Sequence, residues 1–231
     1  MKGTGTVVQV RHLVWDWNGT LLDDVAACVT AINCMLGRRN LELIGRDRYL
    51  DTFRFPVQGY YRTLGFNLEE EDWDLMAREF HADYDGAAKA AQLRPDAIET
   101  LDHIKSLGTP MSVLSASETG ILMRMLERTK IDNYFKSVHG LSDLYGESKL
   151  ALGRAMMADL AVDPASVVLV GDTIHDYEVA CELGCRCILV TGGHQSESRL
   201  RTCDCVMVAA LGDLPAYIVN GKTGTGGNGY E

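Results

Sequence analysis

The sequence is short of positive charge: 22 Lys and Arg stand against 32 Asp and Glu in 231 residues, a formal net charge of -10. No cluster of Lys and Arg appears anywhere, which excludes the phosphate-tracking surface of a nucleic-acid binder. No apolar run is long enough for a signal peptide or a bilayer span, so the chain reads as cytoplasmic with no membrane partner. A disulfide framework is also missing, because seven cysteines are an odd number in a chain without an export signal. Cys185/Cys187 and Cys203/Cys205 lack the usual C-x₂₋₄-C knuckle spacing and adjoin Ile188-Leu189-Val190 and Val206-Met207-Val208. They read as buried small hydrophobes. What is present is apolar mass, 46% of residues, enough for one core with a smaller appended lobe.

Apolar residues Leu13, Val14 and Trp15 run into Asp16, and Gly19-Thr20 turns the chain, so a buried strand ends in a carboxylate. After Asp23-Asp24, a helix-start signal, Val25, Cys28, Val29, Ile32, Met35 and Leu36 form one helical face ending at Gly37. Three more helical stretches follow: Arg46 to Phe53, Pro56 to Leu64, and one carrying Trp73, Met76, Ala77, Phe80 and Tyr84. No strand is read there, which predicts an all-helical insert with hinges at Leu21-Asp24 and Ala91-Pro95.

Strand and helix then alternate. Helices are predicted at Pro95 to Leu107, Glu118 to Arg128 and Lys149 to Leu160, then up to Gly184, with a terminal helix last. Strands are predicted at Met111 to Ser115, Ser137 to His139, Val167 to Val170, Cys187 to Val190 and Cys205 to Val208. The expected fold is α/β: a three-layer α/β/α Rossmann-like parallel sheet with an inserted all-helical cap. Residues 1–22 and 92–219 form the core domain, 23–91 the cap and 220–231 a disordered Gly-rich tail. The tail's G-K-T lacks the flanking strand and helix of a phosphate loop.

In such a sheet the carboxyl ends of neighbouring strands converge on one crevice, which gathers Asp16, Ser115, Lys149, Asp172 and Asp176. Asp16 and Asp172, with a backbone carbonyl and waters, suit the oxygen cage of Mg²⁺. Ser115 and Lys149 offer a hydroxyl and a point charge to a transferring phosphoryl group. Taken singly, a strand-ending Asp, a capping Ser and a solvated Lys need no function. Their conjunction in chain order is what points to a site. In the cap, Arg46, Arg48, Arg54 and Arg62, with Tyr49 and Tyr60, are candidates to receive a substrate carboxylate. His175 and His194 read as hydrogen-bonded loop histidines.

The same residues resemble the haloacid dehalogenase-like hydrolases. D-W-N-G-T from Asp16 is similar to that superfamily's D-x-D-G-T, V-L-S ending at Ser115 to its second motif, Lys149 to its third, and G-D-T-I-H-D ending at Asp176 to its fourth. The run around the fourth motif looks most like the phosphoglycolate phosphatase-like branch, with its helical cap. The resemblance implies that Asp16 attacks phosphorus, and that Ser115, Ala116 and Lys149 bind phosphate. It also implies that Asp16, Asp172 and the Asn18 carbonyl hold Mg²⁺, and that Asp176 orients Lys149 or a metal-bound water.

Asn18 stands where the superfamily carries a second aspartate, the residue that protonates the leaving oxygen and then activates water. Asn18 leaves the backbone carbonyl, which holds the metal in the superfamily, in place and loses the proton chemistry, a contribution typically worth about 10²–10⁴ in rate. The leading expectation is a Mg²⁺-dependent hydrolase of a small phosphorylated metabolite, slower or selective for good leaving groups. A non-catalytic phosphate-ligand binder is the alternative. C–P cleavage would need an imine-forming cap lysine, and Lys89 is the only lysine between Lys2 and Lys105. C–halogen cleavage would not need the Asp172/Asp176 cage.

Overall fold

A computed structural model describes residues 8–142 and 149–220. Most of the predicted tail, 221–231, lies outside the described residues. The chain opens with β1 (Val8–Val10), β2 (His12–Trp15) and β3 (Leu22–Asp23), then four helices: α1 (Val25–Arg38), α2 (Arg46–Thr52), α3 (Val57–Thr63) and α4 (Trp73–Ala88). There follow β4 (Gln92–Leu93), α5 (Ala97–Ser106), β5 (Met111–Glu118), α6 (Thr119–Thr129), β6 (Ser137–Leu141), α7 (Lys149–Leu160) and β7 (Val167–Gly171). The chain continues through α8 (Ile174–Leu183), β8 (Arg186–Val190), α9 (Glu197–Leu200), β9 (Val206–Val208) and β10 (Ile218–Asn220).

Six strands pair in the order β6-β5-β2-β7-β8-β9, every pair parallel. Alternation along β2 sends Leu13 and Trp15 into one buried cluster and Val14 into the other, so both faces of the sheet are covered. Ala97, Leu101 and Ile104 of α5 and Leu122 and Leu126 of α6 pack with the first cluster. Met156 of α7 and Val179, Ala180 and Leu183 of α8 pack with the second. This is the expected three-layer α/β/α, Rossmann-like architecture. Its two chain directions away from β2, to β5 and to β7, leave β2 at the point where ligands bind in open α/β sheets.

The segment between β3 and β4 is helical, and those two short strands pair antiparallel, Leu22 with Leu93 and Asp23 with Gln92. Beside that pair Arg94 donates to Gly19 O (3.2 Å) and Thr191 O (2.9 Å), pinning the loop after β2 to the loop after β8. At the far side, Gln195 and Arg199 both donate to Phe53 O at the end of α2.

Two predicted elements differ. β5 continues past Ser115 to Glu118, because a register shift lets Glu118 pair with Leu141. In place of a terminal helix, residues Leu211–Tyr217 form a 3₁₀ segment around Pro215, and β10 then pairs parallel with β1. Proline has no N–H for an α-helical ladder, which favours the shorter repeat.

Candidate active site

Asp16 leaves the carboxyl end of β2, and its N–H is fixed to Val170 O of β7 at 2.9 Å. Asp172 follows β7, and its carboxylate accepts from Thr20 Oγ1 (3.0 Å) and from the His194 N–H. Only glycine fits beside it: Gly19 has φ +75, and a Cβ there would lie 2.3 Å from Asp172 Oδ2. Lys149, the first residue of α7, is buried at 3% exposure and donates to Asp16 Oδ1 and Asp176 Oδ1, each at 2.5 Å. Thr173 caps α8 reciprocally with Asp176. Asp176 Oδ2 is therefore occupied by Thr173 N–H (3.0 Å) and Thr173 Oγ1 (2.6 Å), and its Oδ1 is left to Lys149.

Burial pushes the Asp16 carboxyl up to about 7 against the pull of Lys149, with Asp176 and Asp172 adding repulsion. Burial likewise pushes Asp172 up to about 6. Asp176 goes the other way, because Lys149 and Thr173 overcome the cost of its burial. Asp16, Asp172 and Asp176 place carboxylate oxygens within 4.8 Å of one another, an all-oxygen set that fits a hard divalent cation.

Asn18 lies above this cluster with every polar end engaged. Its Nδ2 donates to Asp24 Oδ2 (2.7 Å) and Tyr84 OH (3.0 Å), and its Oδ1 accepts from Ser117 Oγ (2.7 Å). Asp24, fully buried, also accepts from Gly19 N (2.9 Å) and Tyr84 OH (2.7 Å) and meets His194 Nε2 at 3.2 Å. Burial would raise Asp24, but His194, Tyr84 and Asn18 together hold it below the usual carboxylate range. Burial would likewise lower His194, yet Asp24 first, then Asp172 and Asp16, push it up to about 9.

The sequence suggested Asp24 only as a helix start. It does occupy the N-cap position of α1, but its side chain makes no cap hydrogen bond and turns into the loop after β2 instead. Nothing in the sequence distinguishes that orientation from capping. Tyr84, within α4, Thr20, in the turn after β2, and Ser117, on β5, likewise carry no sequence signal that aims their hydroxyls at this site. His194 is hydrogen-bonded, as expected of a loop histidine, with Tyr49 OH on Nδ1 at 2.9 Å and the Asp24 ion pair on Nε2. His175 sits 3.6 Å from Glu178 and packs on the Phe55 ring.

A cavity of about 160 Å³ opens over Asp16, Asp172 and Lys149 and extends beneath α2, α3 and α4. Ser115 does not line it. Its Oγ accepts from the Ser117 N–H (3.0 Å), and because β5 runs on, Ala116 and Ser117 overhang the cavity instead. The cap arginines do not line it either. Arg46, Arg48, Arg54 and Arg62 are exposed, with Arg48 paired to Glu42 (2.8 Å) and Arg54 donating to Gly59 O (3.1 Å). On α2 the buried positions are Tyr49 and Leu50, which leaves Arg46 and Arg48 of that helix facing out. Tyr49 and Tyr60 do line the cavity.

Carboxylates and one buried lysine gathered at the carboxyl ends of parallel strands define an α/β enzyme. The chain belongs to the haloacid dehalogenase-like hydrolases, whose family model matches residues 13–190. It is 25% identical over 221 residues to a phosphoglycolate phosphatase of Yersinia pestis, covering 90% of this chain and 93% of that one. It is 24% identical over 198 residues to a Dickeya dadantii protein named "Probable phosphatase IndB", covering 83% and 86%. A haloacid dehalogenase-like protein of unknown function from Agrobacterium tumefaciens shares the fold with a TM-score of 0.74 at 20% identity, covering 90% of this chain and 96% of that one.

Proposed function

We propose that the protein is a Mg²⁺-dependent hydrolase of a small phosphate monoester, acting through an aspartyl-phosphate on Asp16. The observation that carries this reading is the 2.5 Å contact between Lys149 and Asp16 inside a buried cluster completed by Asp172 and Asp176. Mg²⁺ would be held by Asp16, Asp172 and the Asn18 backbone carbonyl, and would supply charge neutralisation to the phosphoryl oxygens. Lys149 serves the same oxygens as a fixed cation, and Asp176 keeps it aimed. The Asp16 carboxylate forms a bond to phosphorus as the ester P–O bond breaks, and water then cleaves the acyl phosphate, returning the carboxylate and inorganic phosphate. In this reading 1–22 and 92–219 are the catalytic core, and 23–91 is a cap that covers the substrate. Ala116 and Ser117 contact the phosphoryl group in place of Ser115.

Phosphatase names among the relatives support hydrolysis. Asn18 supports the alternative, a non-catalytic binder of a phosphate ligand, because its amide carries no acidic proton. A phosphate-release screen over small esters, with and without Mg²⁺, separates the two. Turnover that requires the metal supports the hydrolase, and tight binding of esters without release supports the binder.

A further inference from the structure

Eight of the chain's 17 aromatic residues line the cavity that opens over Asp16. Phe53 meets Phe55 and Tyr60 edge-on at 5.5 and 5.3 Å, Tyr61 meets Trp73 at 5.7 Å, and Phe80 stacks on Tyr84 at 5.8 Å. These are the geometries in which aromatic rings attract one another, and a further ring entering the cavity would find the same edges and faces. Among the described residues no arginine lines the cavity; Lys149, between Asp16 and Asp176, is the cation left to the phosphoryl group, His194 is paired with Asp24, and the other basic side chain in the lining is the His81 imidazole. A substrate carboxylate would therefore meet no second lysine and no arginine there. Tyr60 is buried, and its hydroxyl has no hydrogen-bond partner among the described residues. The volume of about 160 Å³ is that of a site for one ring, since an apolar cavity of about 150 Å³ admits benzene.

Asn18 points the same way by an independent route. Its Nδ2 donates to Asp24 and Tyr84, and an amide N–H is not an acid, so the group nearest the family's acid position has no proton to give a leaving oxygen. Such a site serves leaving groups that depart as stable anions. A phenol ionises at about 10, whereas water, and alcohols like it, ionise near 16.

We propose that the natural substrate is a monoaryl phosphate, its ring packed among Phe53, Tyr60, Trp73 and Phe80 and its phosphoryl group against Asp16 and Lys149. Asp16 forms the bond to phosphorus, and the P–O(aryl) electron pair leaves on a phenolate that takes its proton from solvent. Water then releases phosphate from Asp16. This inference rests on the hydrolase reading above and names its substrate class.

The test uses the full chain with Mg²⁺ and four esters that separate ring from leaving group: phenyl phosphate (ring, good leaving group), acetyl phosphate (no ring, good), benzyl phosphate (ring, poor) and 2-phosphoglycolate (no ring, poor). Complete burial of a phenyl-sized group is worth about a ten- to hundredfold tightening. The two ring esters are therefore expected to show KM lower by about that factor than the two ring-free esters. Phenyl and acetyl phosphate should share the high kcat. Phe80→Leu should shrink the phenyl-to-acetyl ratio of kcat/KM at least fivefold, a comparison insensitive to any loss of folded protein. A KM for 2-phosphoglycolate below that of both ring esters, or an unchanged ratio in Phe80→Leu, overturns the aryl assignment and leaves the hydrolase standing. Release from none of the four overturns the hydrolase. Calorimetry with phenylphosphonate against methylphosphonate then decides the occupant: at least tenfold tighter binding of the ring compound keeps it, and equal binding removes it.

Discussion

Asn18 Nδ2 donates to Asp24 Oδ2 at 2.7 Å, so the amide that replaces the family's acid is clamped by a carboxylate six residues further on. A carboxylate at position 18 would face another carboxylate at that distance, and one of the two would have to keep a proton. Asn18 is thus matched to its surroundings, with Tyr84 and Ser117 completing its hydrogen bonds. The local network is built for an amide, and its consequences for rate, metal and stability can be measured separately.

The nucleophile is the first of these. Asp16→Asn should abolish phosphate release and any phospho-enzyme trapped by acid quench, because an amide is a far poorer nucleophile than a carboxylate. Turnover persisting at the wild-type rate would remove Asp16 from the chemistry.

Metal binding should release protons. Asp16 and Asp172 are pushed up to about 7 and about 6, so part of the metal-free protein carries protons there at neutral pH that a cation must displace. Mg²⁺ affinity is expected to rise with pH through 6 to 7 and level off above about 8. Calorimetry in buffers of different ionisation enthalpy reads the proton count directly. No proton release at pH 6.5 would contradict the shared site, and so would an Asp172→Ala variant with wild-type Mg²⁺ demand.

Lys149 is buried between two carboxylates, and removing a buried charge from its partners typically costs about 3–5 kcal/mol. Lys149→Met should lower stability in urea by about that much in EDTA. Mg²⁺ should recover part of the loss, since a cation then relieves the carboxylates left behind. An unchanged urea midpoint would mean that the cluster rearranges without cost.

Much of this was legible in the sequence because it is local. The β-branched run Val167 to Val170 leading into G-D-T-I-H-D announces both a buried strand and its terminal carboxylates, and α7 spans the predicted Lys149 to Leu160. What was not legible depends on which face meets which. Periodicity put Trp73, Phe80 and Tyr84 on one side of a helix, but not opposite Phe53 and Tyr60 in a shared cavity. Arg46, Arg48 and Arg54 carry the chemistry of carboxylate recognition, and only packing shows them turned outward. Asp24 reads as a cap until Gly19 N–H and Asn18 claim its oxygens.

The His194–Asp24 pair predicts a pH-dependent stability. His194 is raised from 6.5 to about 9 in the folded protein, so its contribution is fully present below pH 6.5 and lost as pH rises through 9. The shift corresponds to about 3 kcal/mol. Urea unfolding in EDTA should show wild type losing about that much relative to His194→Gln between pH 6 and pH 10. Parallel curves for the two proteins would show that His194 is not charged by Asp24.

The last expectation concerns Asn18→Asp. A carboxyl introduced there meets Asp24 across 2.7 Å, and repulsion between the two raises the pKa of the pair, so a proton stays on it near neutral pH. That proton is what a poor leaving oxygen needs. Benzyl phosphate hydrolysis should therefore gain about the 10²–10⁴ typical of a positioned acid, while phenyl phosphate changes much less. The Mg²⁺ requirement should stay the same, because the cation would meet only the backbone carbonyl at position 18. Stability should move the other way: a carboxyl with a raised folded-state pKa loses its contribution as pH rises through that value, so the variant should unfold more readily than wild type at pH 8 to 9. Mass spectrometry must first exclude spontaneous deamidation of Asn18-Gly19, which would install the carboxyl unasked. If undeamidated wild type already cleaves benzyl phosphate as fast as phenyl phosphate and Asn18→Asp changes neither rate, another group supplies the proton and the amide is no handicap.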